Sequence, residues 1–150
     1  MYVTTSRKPS ILSKRLCRAL SALFPRGIYE NRGKKSIEEV ADRARQLGKS
    51  RVLLLYEHQG NPDKMQFMNV GTDWEWLTPE VKITKLGQIP QLKMKTKEIR
   101  LEGEKKEELA KLFNFEDSSN DGDIRLVLSS ENWSFYSGSK KIFSFGVSYA

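Results

Sequence analysis

A chain of 150 residues, 38% hydrophobic and 30% charged, has the size and balance of one compact domain, which excludes a disordered tail or a disulfide-stapled mini-protein. One cysteine, Cys17, rules out an internal disulfide framework and fits a reducing compartment. No run reaches the roughly 18 apolar residues of a membrane helix, and the start is too polar for a secretory leader, so a soluble intracellular protein is expected.

Tyr2 to Thr5 reads as an opening strand, interrupted at Ser6 to Ser10. From Ile11 to Phe24, the residues Ile11, Leu12, Leu16, Leu20 and Leu23 recur at the three- and four-residue steps of one helical face, with Pro9 suited to the first turn and Pro25 closing the segment. A short strand is expected around Ile28 and Tyr29, then a polar basic loop from Asn31 to Lys35. Ser36 and Glu39 form a Ser-x-x-Glu capping box that opens a second helix, with Ile37, Val40, Ala41, Ala44 and Leu47 on one face and a stop at Gly48.

Val52 to Leu55 is a continuous apolar run, as expected of a central strand covered on both faces. A turn over residues 60–63 and a returning strand at 65–70 follow. Strand, helix, strand, helix, strand, strand favours an α/β sheet with right-handed crossovers. Beyond it, 74–86 and 92–101 are strand-like, 104–115 is helical, Asp117 to Asp123 is an acidic loop, and 124–128, 133–137 and 142–147 form a closing antiparallel meander with turns near Asn132 and Gly138.

Charge is unevenly spread along this order. Residues 1–60 hold 13 Lys and Arg against 5 Asp and Glu, out of totals of 26 and 19. A basic surface concentrated on one part of a chain points to a polyanion, most often nucleic acid. Two loops carry much of it. Thr4, Thr5, Ser6, Arg7, Lys8, Pro9 and Ser10 lead from the first strand into the first helix; Asn31, Arg32, Gly33, Lys34, Lys35 and Ser36 do the same one unit later. A helix start offers free N–H groups and a positive dipole end, to which these loops add cations and hydroxyls. If the first two strands are parallel neighbours, both loops leave the same edge and can grip one stretch of sugar-phosphate backbone. Lys14, Arg15 and Arg18 extend that surface or simply keep the helix soluble.

Other chemistry is thinly represented. Arg32 to Ser36 imitates the end of a nucleotide-binding P-loop, but Ile28 stands where that motif needs glycine. His58, the single histidine, and Cys17, between apolar helix positions, read as structural. Asp117, Asp121 and Asp123 lack the terminal glutamate of an EF-hand calcium loop. Trp133, Phe135, Tyr136, Phe143 and Phe145 are either core residues or base-stacking platforms, and strand spacing in a nearly neutral half favours core. Neither a cofactor nor an enzymatic activity is expected.

The succession from Thr4 to Ser10, a helix ending in Phe24 and Pro25, Asn31 to Ser36, and then Leu53 through Tyr56, Glu57, His58, Gln59, Gly60, Asn61 and Pro62 resembles the opening of the Brix domain over about the first 70 residues. Beyond that the likeness is one of pattern, and the length is similar to short archaeal members. The resemblance implies a single domain over 1–150, of class α/β, with mixed sheets and helices in two similar packed halves, about 1–72 and 73–150, akin to anticodon-binding domains. It also implies ribosome biogenesis through binding of precursor or mature rRNA, with other ribosome-assembly proteins as partners, no membrane, and a cytoplasmic location, or a nucleolar one in a eukaryote. The residues expected at the RNA are Thr5, Ser6, Arg7, Lys8, Ser10, Arg15, Arg18, Asn31, Arg32, Gly33, Lys34, Lys35 and Ser36. Two other readings remain at this stage: an adaptor whose basic loops meet an acidic protein surface, and a nucleotide-dependent enzyme.

Overall fold

The computed structural model describes residues 1–115 and 123–150. Its strands are β1 (Tyr2–Thr5), β2 (Ile28–Tyr29), β3 (Arg51–His58), β4 (Asn61–Val70), β5 (Trp74–Trp76), β6 (Val81–Leu86), β7 (Ile99–Glu102), β8 (Ile124–Leu128), β9 (Asn132–Ser137) and β10 (Lys140–Tyr149). The helices are α1 (Ile11–Leu23), α2 (Ile37–Gln46) and α3 (Lys106–Leu109), the last continued by a 3-10 turn, Ala110–Leu112. The strands form one mixed sheet in the order β2-β1-β3-β4-β6-β10-β9-β8-β7, with β5 beside β4. The α/β class read from the sequence is the one observed.

β1 lies parallel to both β2 and β3, so the chain winds first to one side of β1 and then to the other. The two connecting helices take opposite faces. α1 buries Leu16, Cys17, Leu20 and Leu23 in a core shared with the second half of the chain. α2 covers the reverse face, placing Val40, Ala41 and Ala44 against Tyr2, Val52 and Met68. That double covering explains the unbroken apolar run Val52 to Leu55, all of which is buried.

The larger core is aromatic. Trp133 packs between Phe67, Phe113 and Phe145 at centroid distances of 6.2, 5.4 and 5.9 Å, and Phe24 reaches Phe113 and Phe135 at 5.7 and 6.0 Å. Trp133, Phe135, Phe143 and Phe145 are therefore core side chains. Tyr136, on the other parity of β9, stays partly exposed between Arg125 and Lys141.

Several boundaries depart from the sequence reading for local reasons. The turn expected at 60–63 is a two-residue hairpin at Gln59 and Gly60, both with positive φ (51° and 80°), which matches strand twist and leaves Pro62 inside β4. A bulge between Tyr56 and Glu57 absorbs the shift. The strand expected over 74–86 is two strands, with Thr78 and Pro79 between them. Of the strand expected over 92–101, only Ile99 onward pairs; the stretch before it, lysine-rich at 93, 95 and 97, crosses the molecule without regular structure. The helix expected over 104–115 is shorter, one α turn and a 3-10 turn over 106–112, uncapped by any side chain at Lys105 and followed by Asn114 at φ 52°. The acidic loop at 117–123 lies outside the described residues except for Asp123, whose Oδ2 accepts the backbone N–H groups of Lys97 and Glu98 at 2.8 and 3.3 Å.

Candidate nucleic-acid interface

The parallel pairing of β1 with β2 sends both basic loops out from one sheet edge, side by side. They are tied together. Arg32, though in the second loop, is only 6% exposed; its Nη1 donates to the Thr5 carbonyl at 3.2 Å, and its Nε to the Lys35 carbonyl at 2.7 Å. Burial, and after it the charge of Arg7, pulls the Arg32 pKa below its ordinary value. Arg7 and Lys35, one from each loop, both act electrostatically on Glu39. The loops thus form one cationic ridge, whose exposed members are Arg7, Lys8, Asn31, Gly33 and Lys34, with Ser6 and Lys35 half-exposed. Lys8 and Gly33 have φ values of 57° and 59°. Each bends its loop sharply, glycine at no steric cost and lysine with some.

Four of the expected contact residues are used in other ways. Arg32 is an internal brace: its multi-donor guanidinium serves the Thr5 carbonyl at the end of β1 and the Lys35 carbonyl of its own loop together. Thr5 is buried, with no hydrogen-bond partner for its Oγ1 among the described residues. Ser10 and Ser36 are helix caps. Ser10 Oγ accepts the Ser13 N–H at 3.2 Å, and Ser36 Oγ accepts the Glu39 N–H at 3.2 Å while Glu39 Oε1 accepts from Ser36 N, which is the capping box expected.

The helix starts themselves are already served by carboxylates. Glu57, from the end of β3, accepts the Ser10 N–H at 3.0 Å and the Ser13 hydroxyl at 2.5 Å; these bonds, Ser13's first, hold its pKa low against the opposing effect of burial. A phosphate at α1 would have to displace this internal anion. Glu39 fills the same role at α2, its pKa lowered chiefly by the Ser36 hydrogen bonds. The helix-start donors that the sequence suggests for a phosphate are thus shared with carboxylates of the chain itself. Sequence reasoning missed Glu57, which sits 47 residues from the N–H it receives.

Glu30, between β2 and the second loop, steadies the ridge from below. Arg43 donates to both its oxygens at 2.9 and 2.8 Å, and Tyr2 Oη donates at 3.0 Å. Arg43 is the main reason its pKa falls from 4.5 to about 2. A carboxylate depressed in the folded state stabilises it above the unfolded value and loses that contribution as pH falls. Acid unfolding is thus expected to steepen between pH 4.5 and about 2. In Glu30→Gln, stability at neutral pH should drop by up to about 1 kcal/mol, the scale of a half-exposed pair, and the acid limb should flatten in a pH series of urea titrations. An unaltered acid limb would take Glu30 out of this account.

Arg15 and Arg18 are exposed on α1, and Arg18 lies over the ring of Tyr29 at 5.6 Å, whose hydroxyl donates to Asn31 of the ridge at 2.9 Å. Cys17 is buried, and burial pushes its thiol pKa up, away from reactivity. His58 is exposed at the end of β3, paired across the hairpin with Asn61. Among the described residues, no group of His, Cys, Asp and Glu is placed to hold a metal ion, and no helix is long and apolar enough to cross a membrane.

No protein-family model matches the chain. It is 38% identical over 78 residues to a probable Brix domain-containing ribosomal biogenesis protein of Pyrococcus furiosus, covering 51% of this chain and 35% of that one. It is 35% identical, again over 78 residues, to the protein of that description from Thermococcus kodakarensis, covering 38% of its length. A 65-residue match at 32% identity joins it to the U3 small nucleolar ribonucleoprotein protein IMP4 of Saccharomyces cerevisiae, over 43% of this chain and 22% of that one. The chain spans a little over a third of the archaeal relatives' length. In three dimensions it superposes on a probable ribosomal biogenesis protein from Aeropyrum pernix with a TM-score of 0.80 at 21% identity, covering 97% of this chain and 93% of that one. An archaeal Imp4-like protein, Mil, shares the fold at TM-score 0.64 and 23% identity, over 97% and 95% of the two chains.

Proposed function

We propose that the chain, similar over 78 residues to Brix domain-containing ribosomal biogenesis proteins, is a ribosome-assembly factor of that family that grips precursor or mature rRNA by its sugar-phosphate backbone and assists RNA folding or processing. The observation that carries this reading is the pair of basic loops joined by Arg32 into one ridge. In it, Arg7, Lys8, Lys34 and Lys35 neutralise phosphates, Ser6 and Asn31 donate hydrogen bonds, and Gly33 admits the backbone closely. Arg32, Thr5, Ser10 and Ser36 hold the loops in shape. Arg15 and Arg18 touch RNA only where it runs on along α1. No bond of the RNA is made or broken; the protein keeps segments in register. The relatives, probable ribosomal biogenesis proteins and a protein of the U3 small nucleolar ribonucleoprotein, support the pathway, with other assembly proteins as partners and the cytoplasm, or a nucleolus where one exists, as the location.

The two-halves reading of the domain also belongs here. In its favour, β1 parallel to β3, followed by antiparallel β4 and β6, repeats as β7 parallel to β8, followed by antiparallel β9 and β10. That repetition favours a division after β6, within 87–98, rather than near residue 72.

Crosslinking the protein in its own cells and sequencing the attached RNA tests the main reading. Reads should concentrate on precursor rRNA, with the crosslinked peptides covering residues 6–8 and 31–35. Reads spread over transcripts in proportion to abundance would dispose of it.

A further inference from the structure

Beyond the ridge loops, the exposed side of α1 faces the irregular segment between β6 and β7 across a groove of about 1050 Å³. Its lining combines Ile11, Ile89 and Leu92 with the cations Arg15, Arg18 and Lys93, and includes neither a carboxylate nor an aromatic ring. Ile11 is 72% exposed. It stands one helical turn before Arg15, so an apolar anchor and a cation share one stripe of α1. Opposite, the backbone from Gln88 to Lys95 makes no main-chain hydrogen bond with any other described residue, and the next residue, Thr96, is docked on α1 through its N–H to the Ala22 carbonyl at 3.0 Å. That docking holds a chain with unused backbone donors and acceptors alongside α1.

We propose that this groove is a docking site for an acidic, apolar-anchored peptide segment of a partner protein, laid between α1 and residues 88–93. Charge complementarity selects the sign: three cations line the groove without a carboxylate to neutralise them. The apolar lining selects the class. A nucleic acid strand would find no ring on which to stack its bases, whereas a Leu, Ile or Phe side chain covers Ile11, Ile89 and Leu92, and an extended peptide pairs with the free backbone of 88–95. The groove borders the RNA ridge through Ile11, Arg15 and Arg18, but its apolar lining and the segment 88–93 are its own, and neither reading depends on the other.

The test pans the full chain against a displayed library of random dodecapeptides and measures the enriched peptides by fluorescence anisotropy. Enriched sequences should be acidic with one or two large apolar residues. Their affinity should fall about tenfold for Ile11→Asn, the loss expected of a central anchor, and comparably for Arg15→Gln with Lys93→Gln, while Lys34→Ala with Lys35→Ala leaves it unchanged. Because Ile11, Arg15 and Lys93 are exposed, these variants should keep the wild-type thermal midpoint, so a lost signal reports the groove and not unfolding. Enrichment without acidic character, or equal binding to Ile11→Asn, would overturn the proposal. So would oligouridine that displaces the peptide and itself depends on Ile11, an outcome that makes the groove a nucleic-acid site and leaves the ridge untouched.

Discussion

Alanine at Arg7, Lys8, Lys34 and Lys35 together is expected to weaken binding of a structured rRNA fragment about a thousandfold near 0.1 M salt, and to reduce the slope of log affinity against log salt by about 3. Each phosphate neutralised by a lysine or arginine releases close to one condensed counterion, so four cations lost should appear both in affinity and in slope. The loss should be nearly uniform across RNA sequences, because these contacts read backbone and not base edges. Folding should be unaffected: none of the four is buried, and Arg32 and the capping serines remain to hold the loops. Filter binding over a salt series gives both quantities. A variant that lost affinity with its slope intact would mean that the ridge acts through shape or partner contacts, and the phosphate account would be wrong.

The second large effect concerns stability. Trp133 is fully buried at the centre of the aromatic core, and its Nε1 donates to Tyr149 Oη at 2.9 Å, which in turn donates to the Ser129 carbonyl at 2.7 Å. Trp133→Ala removes the ring that Phe67, Phe113 and Phe145 share and breaks this relay. A loss of about 4 kcal/mol is expected, from the transfer and cavity costs of a large aromatic, which for a domain of this size lowers the thermal midpoint by about 12 °C. Trp133→Phe should recover more than half of it. Chemical denaturation decides: a cost below about 1 kcal/mol would show that the two halves do not share one cooperative core.

How legible this was from the sequence depends on range. α1, the capping box at Ser36 and Glu39, and the buried run Val52 to Leu55 are written in residues within a turn or two of each other, and they stand where the spacing puts them. The neighbourhood of the two loops followed from one inference, parallel pairing of β1 and β2, which holds. The burial of Arg32 was not legible: nothing in Asn31 to Ser36 separates an arginine aimed at solvent from one aimed at Thr5, 27 residues earlier. Glu57 is a similar case, since its bulged strand end and its partner helix meet only in the folded sheet. In the second half, bulges between Lys141 and Phe143 and between Gly146 and Val147 spoil the two-residue alternation on which strand reading rests, while Leu92 to Lys97 alternates as a strand would and yet pairs with no strand among the described residues.

The antiparallel seam of β6 with β10, from Leu86 opposite Phe145 to Val81 opposite Tyr149, has a consequence for synthesis. As the chain emerges from the ribosome, β1 to β4 can assemble early, but β6 is then held by only two residue pairs with β4 and waits some sixty residues for its other neighbour. During that interval its outer side is a bare template for other nascent strands. Lys82 and Lys85, exposed charges on β6, are placed to discourage such pairings until the last strand zips the sheet shut.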